Sequence, residues 1–211
     1  MQFIPEAIDQ YAVTHTKPES KALLELSRET HAKIYMPQML SGHLQGRFLS
    51  MVSKLVQPKN ILEIGTFTGY SAICLCEGLK PGGHLYTIDI NEELLPMTTK
   101  YFKAAGISDR VKSLTGDALK IIPSIKATFE LVFIDADKTN YSRYYDLVFD
   151  KMPSGGVILA DNVLWSGKVI GNDDDADTIG IRKFNEKVQK DKRVENVLLP
   201  IRDGVMMIRK K

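Results

Sequence analysis

Several apolar runs in this chain end in residues that can hold charge. ILEIG at 61–65 carries Glu63 two positions before Gly65, and the turn TFTGYS follows. HLYTIDI delivers Asp89, and SLTGDA delivers Gly116, Asp117 and Ala118. LVFIDADK delivers Asp135, Asp137 and Lys138, and VILADN delivers Asp161 and Asn162. A carboxylate among apolar neighbours is costly unless a donor or a cation satisfies it. Glu63 therefore either caps a turn or answers a ligand with a cationic or hydroxylated group above its strand end. Asp135, Asp161 and Asn162 admit a similar choice. On neighbouring strands their tips would lie about 4.8 Å apart, and two carboxylates with an amide oxygen repel one another there unless a cation joins them. Oxygen-only donors suit a hard ion such as Mg²⁺, Ca²⁺ or Mn²⁺ better than zinc. The alternative is a turn and a helix cap, roles in which Asp and Asn are common. None of His15, His31, His43 and His84 falls at these positions, so imidazole ligation has no support.

Gly65 and Gly69 stand four positions apart, without the GxGxxG spacing that seats a pyrophosphate on a helix N-terminus. Asp89, at the end of the next strand, is where a ribose diol is commonly held, or where an acid simply caps the following helix. Together these features point to an adenosine-type ligand without pyrophosphate chemistry. A lysine is by default a solvated surface group. In a closed site beside a divalent cation, however, Lys138 could accept a proton. Met39, Phe67, Tyr70 and Trp165 could wall a pocket around a cationic group, since aromatic faces attract cations. Met36, Met51, Met97, Met206 and Met207 read as core. NDDDAD at 172–177 reads as a solvated loop, because it lacks the glycine and final glutamate of a calcium loop.

These positions need elements to hold them. Apolar residues recur at helical spacing in IPEAIDQYAV, PESKALLELSRETHAKI and LQGRFLSMVSKLV, with Pro18 in a first turn and Pro58 as the stop. From residue 59 the rhythm becomes strand, turn, helix. The strands are NILEIG, HLYTIDI, VKSLTGD, FELVFIDA and GGVILAD, with helices near 69–80, 92–105, 118–124 and 140–152 between them. Pro96 marks a helix start or a kink. This alternation predicts a parallel sheet wrapped by helices. RVENVLLPI and GVMMIRK, joined at Arg202-Asp203-Gly204, predict a closing antiparallel hairpin, since Asp-Gly between apolar runs is a strong turn signal. The expectation is one α/β domain over 1–211 with a seven-stranded, mostly parallel sheet. Residues 1–58 form a helical cap or dimer segment, and 59–211 the core.

The 211 residues carry 28 basic and 26 acidic side chains, for a formal charge of +2. That balance gives no electrostatic reason to expect nucleic acid or an anionic membrane as partner. No stretch approaches the roughly 18 apolar residues that span a bilayer, and the first twenty residues lack a signal-peptide layout. Cys74 and Cys76, one residue apart on a helix, point to different sides and make neither a disulfide nor a redox pair. Reduced thiols and a cytoplasmic setting fit best.

Four stretches, LEIGTFTGYS, LVFIDADKTNY, ILADNVLWSGKV and LLPIRDGVMM, resemble the cation-dependent class I O-methyltransferases. The nearest group is the caffeoyl-CoA O-methyltransferase-like enzymes of plants and bacteria, with catechol O-methyltransferase more distant. The likeness covers nearly the whole chain, MLSGHLQGRFL included. It implies a Rossmann-like methyltransferase fold, S-adenosylmethionine as cofactor, a divalent cation with Mg²⁺ foremost, and a homodimer. Glu63, Gly65, Thr66 and Ser71 match the first cofactor motif, within which Phe67 and Gly69 also fall. Asp89 matches the acid on the ribose. Gly116, Asp117 and Ala118 fall at the adenine, and Ser41 and Asp137 at other cofactor positions. Asp135, Asp161 and Asn162 match the metal ligands, Lys138 the catalytic base, and Trp165 and Ser166 the substrate contacts.

The resemblance further implies methyl transfer to one hydroxyl of a vicinal diphenol. A non-catalytic nucleotide-binding module and an NAD-dependent dehydrogenase are the competing readings; the latter shares the sheet and Asp89 but leaves the Asp135, Asp161 and Asn162 set unexplained.

Overall fold

The computed structural model describes residues 4–211. Residues 1–3 of the expected N-terminal segment lie outside that description. Three helices come first: α1 (Glu6–Thr14), α2 (Lys21–Lys33) and α3 (Gly42–Val56), with a 3-10 turn Pro37–Met39 before the last. Strands and helices then alternate as β1 (Asn60–Ile64), α4 (Tyr70–Cys76), β2 (His84–Asp89), α5 (Leu95–Ala104), β3 (Val111–Thr115) and α6 (Ala118–Ser124). They continue through β4 (Leu131–Ile134), α7 (Tyr141–Phe149), β5 (Val157–Asp161) and α8 (Ala176–Lys190) to β6 (Val194–Leu199) and β7 (Val205–Lys210).

The seven strands lie in the order β3-β2-β1-β4-β5-β7-β6. The pairs β1/β2, β2/β3, β1/β4 and β4/β5 are parallel, and β7 runs antiparallel to both β5 and β6. Chain order reverses beside β1, because β2 lies on one side of it and β4 on the other. Ligands of open α/β sheets bind beyond the carboxyl ends of the strands at such a point. The fold thus brings the ends of β1, β4 and β5 together before any side chain is considered.

Alternation along the central strands builds one apolar layer on each face. Leu62, Ile64, Val132, Ile134 and Ile158 pack with Tyr141, Tyr145, Phe184 and Val188 of α7 and α8. Ile61, Leu131, Phe133 and Leu159 pack on the other face with Leu23 and Leu26 of α2, Leu49 and Val52 of α3, and the buried α4. Cys74 and Cys76 are free thiols buried in that second layer. The helices α2 and α3 therefore complete a core face of the sheet.

The structure corrects several local expectations. Pro18 lies ahead of α2 rather than in its first turn. Ser20 is the N-cap, and its hydroxyl accepts the Leu23 N–H at 3.4 Å. Pro96, read as a helix start or a kink, is the former: it sits in the first turn of α5. The closing antiparallel hairpin forms as expected, with Arg202-Asp203-Gly204 inside its connection. Leu199 pairs with Val205, and the five residues between them include Arg202 and Gly204 at φ of 49° and 87°. Met36 and Met51, expected in the core, are 41% and 59% exposed. Among the described residues no helix is long and apolar enough to cross a membrane.

Candidate active site

The loops after β1 and β4 meet backbone to backbone. Gly65 N–H donates to the Ile88 carbonyl at 2.9 Å, and Asp135 N–H to the Ile64 carbonyl at 2.8 Å. Gly65 takes φ of 100°, which a side chain rarely adopts, and a Cβ there would stand 1.8 Å from the Asp135 carbonyl oxygen. Phe67 also holds a positive φ, 48°, and its N–H donates to Asp89 Oδ2 at 2.7 Å. The other Asp89 oxygen accepts the Asn91 N–H at 2.9 Å. Asp89 thus fixes the turns after two strands at once. Gly69, at φ of 92°, opens α4 against the ring of Phe102.

A cleft of about 510 Å³ opens above the ends of β1, β4 and β5. Of the sequence-predicted residues it gathers Ser41, Gly65, Thr66, Phe67, Ser71, Asp135, Asp137, Lys138, Asp161, Asn162 and Trp165. Met39 and Tyr70 line it as expected for a wall, and Met36, read as core, joins them. Asp89 borders a smaller adjoining cavity that shares Thr66 and Phe67 with the cleft. Asp117 caps α6, with Oδ1 accepting the Leu119 N–H at 2.9 Å. Gly116, Asp117, Ala118, Gly69 and Ser166 do not line the main cleft. The Ser166 N–H instead donates to Asp203 at 2.5 Å.

Glu63 lies behind the cleft wall, fully buried on β1. Thr87 donates to its Oε2 at 2.5 Å, and Thr66 in turn shares a hydrogen bond with Thr87. Oε1 has no partner at ordinary hydrogen-bond geometry among the described residues. Burial pushes the carboxyl up to about 8, against the opposing pull of Ser71 and Thr87. It is not a turn cap.

The charged centre lies at the tips of β4 and β5. Lys138 Nζ donates to Asp135 Oδ1 at 3.0 Å, to Asn162 Oδ1 at 2.8 Å and to the Tyr141 hydroxyl at 2.8 Å. Tyr141 donates to the Asp161 carbonyl at 3.0 Å, which aligns α7 with the end of β5. Asn162 holds φ of 59°, a left-handed conformation that Asn tolerates better than most residues. Asp161 is only 3% exposed. Its Oδ2 accepts Gln45 Nε2 at 2.7 Å, and its Oδ1 the Asn162 N–H at 2.8 Å. Burial, then the neighbouring Asp135 charge, pushes the Asp161 carboxyl up.

Two carboxylates and an amide oxygen are a donor set for a hard cation. The ammonium of Lys138 already bridges Asp135 and Asn162, so a positive charge is at home on these oxygens. A buried acid raised by a neighbouring acid is also relieved by added positive charge. The residues fit a divalent ion.

The sequence reading missed Gln45, Tyr141, Asp177 and Arg202. Asp177 and Arg202 line the cleft, and Gln45 and Tyr141 stand behind its charged end. A glutamine four positions after Ser41, on the apolar face of α3, was the one available signal for Gln45.

Comparison with known proteins gives the family. A family model described as O-methyltransferase matches residues 13–211. A caffeoyl-CoA O-methyltransferase of Eucalyptus gunnii is 31% identical, the match covering 97% of this chain and 88% of that protein. Caffeoyl-CoA O-methyltransferase 1 of Arabidopsis thaliana is 33% identical over 91% of this chain and 79% of its own. Among solved structures, the O-methyltransferase TomG of Streptomyces achromogenes, in complex with SAM, superposes with a TM-score of 0.91 at 29% identity, covering 97% and 96% of the two chains. An O-methyltransferase from Bacillus cereus, in complex with SAH, gives 0.90 at 32% identity and 97% coverage of both.

Proposed function

This chain belongs to the O-methyltransferase family, an S-adenosylmethionine-dependent enzyme class, and we propose that its acceptor is a vicinal diphenol of catechol or caffeoyl type and that Asp135, Asp161 and Asn162 hold a divalent cation, Mg²⁺ foremost. The observation that carries this reading is the cluster of Asp135, Asp161, Asn162 and Lys138 in the wall of the cleft that Gly65, Thr66 and Phe67 also line. The family membership sets aside the dehydrogenase reading and the non-catalytic module.

The cofactor would lie along the turn after β1. Gly65 lets it approach the backbone, and Ser41, Thr66, Ser71 and Asp137 offer polar contacts to its amino-acid part. Asp89 takes the ribose hydroxyls, with Gly116, Asp117 and Ala118 toward the adenine. Phe67, Tyr70, Trp165 and Met39, which line the cleft, would surround the sulfonium and keep water from it. Glu63, behind Thr66 and Ser71, adds a titratable acid to the wall facing that positive charge.

When bound, the cation supplies the charge that lowers a phenol from its ordinary value near ~10 and makes phenolate available at neutral pH. Once the cation replaces it on the oxygens of Asp135 and Asn162 and its own proton has passed to solvent, the Lys138 amine would take the phenol proton. The phenolate oxygen forms a bond to the methyl carbon as the carbon–sulfur bond breaks, leaving a methyl ether and S-adenosylhomocysteine. Trp165 orients the acceptor ring, with Ser166 beside it. Because opposite charges cancel as the methyl moves, orientation in a dry site contributes much of the acceleration.

Methyl transfer to a panel of catechol, caffeic acid and caffeoyl-CoA, each beside its monophenol counterpart, tests the acceptor class. Products confined to the diphenols support it, and equal turnover of the monophenols refutes it. The reading includes a homodimer. Exposed Ile8 and Tyr11 on α1 and Met51 and Leu55 on α3 support that, and light scattering at monomer mass contradicts it. It also includes a reducing, cytoplasmic setting, which the buried free thiols support.

A further inference from the structure

Asp161 is held by a second residue that is itself held by a third. Gln45, fully buried on α3, donates Nε2 to Asp161 Oδ2 at 2.7 Å across 116 positions of sequence. Its amide oxygen accepts Arg202 Nη1 at 2.9 Å. This pairing fixes the amide's orientation. A guanidinium has only donors, so the Gln45 oxygen must face Arg202, and its NH₂ group is left to face the carboxylate. Arg202 is anchored in turn. It also donates to the carbonyls of Leu40, at 2.9 Å, and Ser41, and it sits in the β6–β7 connection at a positive φ of 49°. A non-glycine residue keeps such a backbone only where its surroundings hold it there.

We propose that Gln45 and Arg202 are positioning residues for the cation site: Arg202 orients the Gln45 amide, and Gln45 holds Asp161 in the rotamer that presents its carboxylate to the cation. The inference rests on the metal reading above. Asp161 stands at the end of β5, where one backbone donor, the Asn162 N–H, reaches Oδ1 and, among the described residues, Gln45 alone reaches Oδ2. Without Gln45 the carboxylate can turn, and a buried Oδ2 loses the side-chain donor that holds it. Partners that orient metal ligands in this way commonly set affinity by 10–100-fold. Arg202 further ties the wall at Leu40 and Ser41 to the hairpin, so the cofactor side and the cation side of the cleft share one clamp.

Mn²⁺ binding, read as loss of the free-ion electron paramagnetic signal, tests this without turnover. Gln45→Met keeps the length and removes the donor, and it should weaken Mn²⁺ by about 10–100-fold. S-adenosylhomocysteine affinity, measured on the same samples, should stay within about twofold and shows that the fold is intact. Arg202→Met should weaken Mn²⁺ severalfold, with Arg202→Lys partly restoring it. The double variant should be no weaker than Gln45→Met alone, because Arg202 acts through Gln45. Unchanged Mn²⁺ affinity in Gln45→Met overturns the inference, as do effects of the two substitutions that multiply. A native protein that binds no Mn²⁺ overturns the metal reading itself, which separates the two failures. If Gln45→Met does not fold, the Arg202→Met and Arg202→Lys pair decides, and equal Mn²⁺ affinity in both and in the native protein overturns the inference.

Discussion

A methyl group on Gly65 would stand 1.8 Å from the carbonyl oxygen of Asp135, so the turn after β1 and the loop after β4 leave no room for a side chain between them. That contact joins the cofactor turn to the first proposed metal ligand. Gly65→Ala should lose S-adenosylhomocysteine binding by more than about 100-fold, because both the left-handed strain and the clash must be relieved by moving one of the loops. Gly42 is the control. It holds φ of 75°, and a methyl group there would meet nothing within 4 Å, so Gly42→Ala carries strain alone, about 1 kcal/mol in thermal unfolding. Equal behaviour of the two variants in calorimetry would mean that the Gly65 contact is incidental.

Lys138 is placed by three oxygen partners at 2.8–3.0 Å. A group that moves a proton in the reaction contributes about 10²–10⁴-fold. Lys138→Met should therefore lower kcat by that range while S-adenosylhomocysteine affinity stays within about threefold. Turnover within a few-fold of the native enzyme would leave Lys138 as a structural cation only.

Glu63 gives the protein a pH signature. Its carboxyl is raised by burial from 4.5 to about 8 in the folded chain. Below pH ~4.5 both folded and unfolded states hold the proton. Between there and pH ~8 only the folded state does, so the unfolded state binds fewer protons and stability falls as pH rises. Each unit is about 1.4 kcal/mol, which makes a few kcal/mol the order of the whole effect. Denaturant melts of the cofactor-free protein should show Glu63→Gln gaining on the native chain from pH 5 to pH 9. Parallel pH profiles would mean that Glu63 ionises without penalty.

Much of this site is legible in the sequence because the polar residues interrupt apolar runs. Asp135, Asp161 and Asn162 follow LVFI and VILA directly, and the βα rhythm alone puts such tips on one edge of a parallel sheet. Lys138 comes with them as part of the same loop. Gln45 and Arg202 are not legible in this way. Gln45 reaches Asp161 from a helix 116 positions away, and Arg202 reaches Gln45 from the β6–β7 connection, pairings that no local run of sequence displays. Neighbouring side chains also decided matters that composition did not. Ser20 captured the start of α2 that Pro18 suggested, and the five-residue β6–β7 connection spread the Asp203-Gly204 turn so that Arg202 could face inward. Met36 reads as core by its residue type, yet it lines the cleft, because α2 ends at Lys33 and Met36 leads into the 3-10 turn Pro37–Met39.

Metal-assisted methyl transfer is tested most directly by one assay: transfer of the methyl group from S-adenosylmethionine to catechol, measured with Mg²⁺, with excess EDTA, and after Mg²⁺ is restored, in the native enzyme and in Asp161→Ala. The prediction is turnover that falls by at least about 100-fold with EDTA, returns with Mg²⁺, and is absent from Asp161→Ala under every condition. Turnover that persists in EDTA at the native rate would reduce Asp135, Asp161 and Asn162 to turn residues and contradict the metal-assisted mechanism.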